Sequence, residues 1–481
     1  MPKWTPQQQQ AIDARNRTIL VSAAAGSGKT AVLIERIVQL ISEGYRVNRM
    51  LIVTFTKAAA GEMRQRLSSK LNQLALEDPA RYAPALDDLE TTEISTIHAF
   101  CQKVLRNHFQ VIGIDPMMRV CDEQLRKALF DEAWLEAFNA LLEDGSHPGF
   151  MNLADAYDQA RLQQMTEDLH DFLMSLPAPF NWLETAMSKV QYKPYDRHPW
   201  YVILKRHTRM MLGGLDQLLA QERELLDETD AISARMDTWQ QDCADVAALE
   251  TLPWHDMEAV VAALNAFSLS RQKPVRGLTD EQKAWQKRFN TVRDRMKDIV
   301  KDAVDALTID EERIDVEFLM MHLHLTGLAA LVKKTDEMFH VKKAEKHVID
   351  FSDMEQFTME VLRDDHAREQ LQGEYDHIFV DECQDVSQVQ DAILHAIHSP
   401  ENYMFMVGDV KQSIYRFRKA DPTLFLHRLR TYSDDPEANE RRIILQKNYR
   451  SRFNVLEATN QVFRMTMRPN VRSLLMNRRT S

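Results

Sequence analysis

The sequence predicts an α/β fold in which a parallel sheet with helical crossovers is interrupted by a large all-helical insertion. Apolar strand-like runs alternate with helix-period segments over residues 1–120, the texture becomes helical over 121–345, and strand-like runs return over 346–435. Composition agrees: 13 glycines in 481 residues, against abundant Leu, Ala, Glu, Gln, Met, Lys and Arg, favour helix over tight turns. At roughly 150 residues per domain, the length suits about three domains.

Ile19–Ala23 reads as a short apolar strand, Lys29–Ser42 repeats apolar residues at helical spacing, and Met50–Phe55 reads as a second strand before a helix starting near Lys57. In the insertion, amphipathic stretches Asp122–Leu142, Met211–Glu228 and Lys283–Ala306 follow one another, with loops expected near Pro148, Pro177, Pro179, Pro194, Pro253 and Pro274. Asp376–Asp381, Tyr403–Val407 and Arg442–Leu445 restore the strand pattern. Distant strands share a sheet if the insertion leaves and re-enters at one edge. Residues 1–120 and 346–435 are therefore expected to form one domain, and 436–481 to open another.

Sixty basic residues against 72 acidic ones give a net charge of −12, so any contact with DNA must be local. Cys101, Cys121, Cys243 and Cys383 form no C-x-x-C pair, which argues for a reducing compartment and against a cysteine-ligated metal. No apolar run approaches the ~18 residues of a membrane span, and the first residues lack a signal-peptide core. The expected location is the cytoplasm, without a membrane partner.

Ala23-Ala24-Ala25-Gly26-Ser27-Gly28-Lys29-Thr30 falls between a strand and a helix. A triphosphate needs backbone N–H groups aimed at its oxygens. Gly26 and Gly28 permit that approach, Lys29 adds positive charge and Thr30 offers a hydroxyl to Mg²⁺. Ala23 stands where the first glycine of a G-x-x-x-x-G-K-[ST] loop is usual. Far downstream, Asp381-Glu382-Cys383-Gln384-Asp385 ends a strand, so Asp381 is placed to hold Mg²⁺ and Glu382 to polarise an attacking water. Lys29 and Asp381 are expected to face one crevice at the ends of neighbouring parallel strands. Together they describe a nucleoside-triphosphate hydrolase.

Further segments stand in a collinear series: Thr5-Pro-Gln-Gln8, Thr54-Phe55-Thr56-Lys57, Ser95-Thr96-Ile-His98-Ala-Phe100, Ile349-Asp-Phe-Ser-Asp353, Gly408-Asp-Val-Lys-Gln412-Ser-Ile-Tyr415-Arg-Phe417-Arg418 and Asn448-Tyr449-Arg450-Ser451. The series resembles UvrD/Rep/RecB-type superfamily 1 helicases, and within them it looks most like the AddA branch, found in bacterial ATP-dependent helicase/nucleases. The resemblance implies a RecA-like P-loop NTPase lobe, the helical insertion, and the start of a second RecA-like lobe. It also implies ATP and Mg²⁺ as ligands, single-stranded and duplex DNA as substrate, AddB as partner subunit, and 3′-to-5′ translocation in the processing of broken DNA ends.

Residue by residue, the resemblance implies that Gln8 reads adenine, although four consecutive glutamines leave the register open, and that Tyr449 stacks on it. Arg450 would reach the γ-phosphate, and Gln412 would join the ATP site to the DNA path. Thr54, Phe55, Thr56, Thr96, His98, Tyr415, Phe417 and Arg418 would line that path, with Phe417 where relatives often carry tryptophan. The sequence ends about thirty residues after Arg450, whereas a second lobe needs on the order of 100. The later helicase motifs and the family's carboxy-terminal nuclease fall outside it. A truncated or frame-shifted product, or an incomplete gene model, is expected; the tail from Arg464, with five arginines and no acid, fits that, and a natural basic tail is the competing reading. The alternative to a motor is a fragment that binds ATP and single strands without turnover.

Overall fold

The computed structural model describes residues 4–115, 117–190, 199–308 and 311–466. Pro194 and the arginine-rich tail from residue 467 lie outside them. The chain divides into two compact units, one of Met1–Asp144, Tyr157–Leu183 and Ala330–Ser481, the other of Gly145–Ala156 and Glu184–Ala329. Helical residues 123–144, 157–183 and 330–345, grouped with the insertion in the sequence, thus cluster with the first unit.

Unit 1 is built on a six-stranded sheet. Its strands are β1 (Thr18–Ala23), β2 (Met50–Thr54), β3 (Glu93–Thr96), β6 (His377–Val380), β7 (Tyr403–Gly408) and β8 (Glu440–Leu445), after β4 (Arg119–Val120) and β5 (Val348–Ile349), which pair separately. The order is β3-β2-β6-β7-β1-β8, and every pairing is parallel. A buried parallel strand is apolar on both faces. Here Ile19, Val21, Ile52, Phe379, Phe405 and Val407 enter one core, while Leu20, Leu51, Val53, Ile378, Val380, Met404 and Met406 enter the other. Helices α1 (Pro6–Asp13), α2 (Lys29–Ser42), α3 (Lys57–Ala75) and α4 (Pro79–Thr91) serve the first core, and α5 (Ile97–Ile112) the second.

The small β4–β5 ladder, with Arg119 opposite Val348 and Val120 opposite Ile349, sets the two ends of the intervening stretch side by side. The six-stranded sheet itself is joined across the interruption by the pairing of β2 with β6 and of β1 with β7. β8 lies within 436–481 yet pairs with β1, Thr18 to Ala23 against Glu440 to Leu445, as the outer strand of this sheet.

The loops expected near Pro148 and Pro179 end at these prolines, which open helices Pro148–Ala156 and Pro179–Lys189 because proline's fixed φ and missing N–H suit a first helical turn. Two local readings differ from the sequence pattern. Met211–Glu228 is not one helix: it takes in the last two residues of helix Pro199–Leu212 and then helix Leu215–Leu226, divided at Gly213 and Gly214. Finally, helix Glu311–Glu345 contains an 18-residue window of mean hydropathy 1.3, long and apolar enough by composition to cross a membrane, which a count of unbroken runs passes over because His322 and His324 interrupt it. Its C-terminal part packs in unit 1, with Leu331, Val332 and Phe339 wholly buried.

Unit 2 is helical among its described residues. Gly149 and Gly327 let two of its helices touch by backbone, since a Cβ on Gly327 would sit 2.3 Å from the Gly149 carbonyl oxygen.

Candidate nucleotide and strand sites

The phosphate loop follows directly from the end of β1. Gly26 (φ +70°) and Gly28 (φ +87°) both occupy the left-handed region, and Gly28 caps α2 without any side-chain bond. The first amides of α2 are thus left for an anion. Ala23 is the last residue of β1, opposite Leu445, where extended backbone makes no demand for glycine. The Ser27 hydroxyl is buried without a hydrogen-bond partner, and the Gln8 amide donates to the Ser27 carbonyl at 3.0 Å. The other end of Gln8 accepts from the Thr5 amide at 3.0 Å in the capping box of α1, so this glutamine, of the four, abuts the loop.

Lys29 Nζ donates to Glu382 Oε2 at 2.9 Å. β1 and β6 are not neighbours as expected, because β7 runs between them. The lysine side chain spans that gap. Glu382 holds φ +52°, a strained left-handed conformation for a side-chain-bearing residue, while the amide of Asp381 donates to the Val53 carbonyl at 2.9 Å. Burial, and next the charge of Glu382, push the Asp381 carboxyl up to about 6. A carboxylate so desolvated is stabilised by a divalent cation. With Thr30, Lys29 and the uncapped helix start, the donor set suits Mg²⁺ and a triphosphate.

Tyr449 donates its amide to the Gly26 carbonyl at 2.8 Å, and a Cβ on Gly26 would meet Arg450 Cβ at 2.6 Å. The Asn-Tyr-Arg segment therefore lies on the loop itself. Asn448 Oδ1 accepts from the amides of Arg450 and Ser451, and both the Tyr449 ring and Arg450 are exposed. On the other side, Gln412 Nε2 donates to Asp409 Oδ2 at 2.7 Å, just beyond the end of β7.

Phe55 and Tyr415 lie 4.5 Å apart, Tyr415 and Phe417 5.8 Å apart, and the Arg418 guanidinium sits 5.2–5.7 Å from all three rings. Phe417 is 73% exposed. The predicted threonines do local work: Thr54 donates to the Thr56 carbonyl, and Thr56 and Thr96 cap α3 and α5. His98 belongs to another group, with its Nε2 3.0 Å from Glu355 and its ring edge-on to Phe351, which is half exposed.

Glu355, Phe351, Gln384 and Asp409 were given no role by the sequence pattern, although all but Glu355 lie inside motif segments. Asp350 and Asp353, from one such segment, serve the architecture, since both pair with buried Lys343, at 3.2 and 2.6 Å, in the cap of helix Phe351–Val361.

A parallel sheet that brings a glycine-framed lysine and a strained acidic residue together at its carboxyl edge defines a P-loop nucleotide-binding lobe of the RecA-like kind. More narrowly, the chain belongs to the UvrD/REP helicase family, whose N-terminal domain profile matches residues 4–433. It is similar to the A subunit of the ATP-dependent helicase/nuclease of Alkaliphilus metalliredigens (34% identical, over 97% of this chain and 40% of that protein). The same subunit of Ligilactobacillus salivarius is 34% identical over 97% of this chain and 39% of its own length, and that of Desulforamulus reducens 35% over 97% and 39%. The chain spans about two fifths of the length of these relatives.

Proposed function

We propose that this chain carries the ATP-driven motor of an AddA-type DNA helicase, acting 3′ to 5′ on one strand with an AddB-type partner in the cytoplasm during processing of double-strand breaks. The reading rests above all on the 2.9 Å contact between Lys29 and Glu382 across β7. Bound Mg²⁺ would supply charge neutralisation at the phosphates, held by Thr30 and Asp381. Gln8, the loop from Ala23 to Thr30, and Tyr449 orient the nucleotide. Lys29 leaves Glu382 for the phosphates, and Glu382 is then free to accept a proton from water. Arg450, on a segment already against Gly26, stabilises transition-state charge. Phe55, Tyr415, Phe417 and Arg418 give bases and phosphates a surface, with His98 and Phe351 as a second step.

Steady-state ATP hydrolysis with and without oligo-dT tests this. Turnover should rise with DNA and fall to background in Lys29→Ala. Turnover indifferent to that substitution would overturn the site; strand and nucleotide binding without turnover would leave the binding-fragment reading instead.

A further inference from the structure

Gln384 is almost wholly buried, and its amide stands between the Lys29–Glu382 pair and Asp409. Nε2 donates to Glu382 Oε2 and to Asp385 Oδ2, each at 2.9 Å. Oε1 accepts from the Asp409 amide at 2.8 Å. The Glu382 oxygen that takes this proton is also the one that takes the proton of Lys29. Asp409 in turn accepts from Gln412 at 2.7 Å, and the Ser413 hydroxyl donates to the Gln384 carbonyl at 3.4 Å.

The amide has one usable orientation. Turned over, its oxygen would face two carboxylates and its protons would face the Asp409 N–H, so all three side-chain bonds would fail together. Space is fitted as closely as polarity. A Cβ on Gly408, the last residue of β7, would lie 2.5 Å from Gln384 Oε1 and 2.9 Å from Cys383 Sγ. Glycine there lets the amide lie directly against the end of β7.

Lys29 provides the two-state element such an arrangement needs, because its ammonium satisfies either Glu382 or a phosphate. When it leaves, Glu382 Oε2 keeps Gln384 as its remaining protein donor among those described, the pull on that amide strengthens, and Asp409 and Gln412 feel the change. We propose that Gln384 is a positioning residue that couples nucleotide occupancy at Lys29 and Glu382 to the strand-facing segment 412–418. This rests on the nucleotide and strand sites proposed above.

The test is binding of a fluorescent ATP analogue with Mg²⁺, with and without oligo-dT, which needs no turnover. In the unaltered chain DNA should change nucleotide affinity by about tenfold, and in Gln384→Ala and Gln384→Met by less than about twofold, while affinity without DNA moves little. Gln412→Ala should lose the same coupling, and the double variant no more than either single one. Gly408→Ala, which crowds the amide without deleting it, should weaken the coupling too, and serves if Gln384→Ala does not fold. Coupling that survives Gln384→Met, additive losses in the double variant, or nucleotide binding indifferent to DNA in the unaltered chain would each overturn the relay. If neither the unaltered chain nor Lys29→Ala binds nucleotide, the site itself falls and the relay with it. Binding abolished by Lys29→Ala while coupling survives in Gln384→Met sinks the relay alone.

Discussion

Phe417 leaves most of its ring in solvent while two other aromatics and a guanidinium gather beside it. Such exposure costs a folded chain some hydrophobic stabilisation, and a flat, cation-flanked ring is what a stacking base requires. Phe417→Ala should weaken binding of oligo-dT by about 1–3 kcal/mol, with Phe417→Trp binding at least as well as the parent. Fluorescence anisotropy checks both, and unchanged affinity in the alanine variant would mean that the strand runs elsewhere. Phe55 is different. It is half buried and rests against Tyr415, so its loss would disturb packing as well as contact.

Three helices of unit 2, Leu215–Leu226, Arg235–Glu250 and Asp280–Leu307, enclose a charged group among apolar neighbours. Arg293 donates to Asp242 at 2.6 and 3.0 Å and to the Ser270 carbonyl at 2.6 Å. Glu222, wholly buried, lies 3.9 Å from the same guanidinium and has no hydrogen bond to either carboxylate oxygen. Burial, and next the charge of Asp242, push Glu222 from the ordinary 4.5 up to about 8, with Arg293 opposing. Arg235 and Cys243 stand nearby, and each is shifted by this group: the thiol upward, after burial, by Glu222 and Asp242, the guanidinium downward, after burial, by Arg293. A carboxyl raised on folding keeps its proton in the native state and releases it when unfolded. Stability is therefore fullest below about 4.5 and declines as pH rises to about 8, beyond which this group adds no further slope. Denaturant unfolding followed across that range should show the decline, and Glu222→Gln should flatten it; an unchanged slope in the variant would refute a neutral Glu222.

At the scale of the molecule, a net charge of −12 repels polyanions, so the proposed affinity for DNA has to come from local cations such as Arg418 beside the rings. Binding should be strongly salt-dependent, and Arg418→Ala should reduce the slope of log K against log salt by about 1 if that side chain reaches a phosphate. Titrations at several salt concentrations decide this. An unaltered slope would confine Arg418 to holding the three rings.

Strand and helix periodicity, the glycine-framed lysine and the acidic pair were all readable along the chain, because each depends on neighbours within a turn or a strand. Ala23 as the end of β1 and Lys29 at a helix start needed little more than their own segments, whereas the strand-facing role expected of Phe417 came from the family resemblance. What periodicity cannot carry is contact across the sheet. The insertion of β7 between β1 and β6, the pairing of β8 with β1, the choice of Gln8 among four glutamines and the burial of Gln384 between Glu382 and Asp409 all depend on which distant segments fold against one another. Those choices were settled by the tertiary structure, because a buried amide or carboxylate is specified by its partners in space and a linear sequence does not order them.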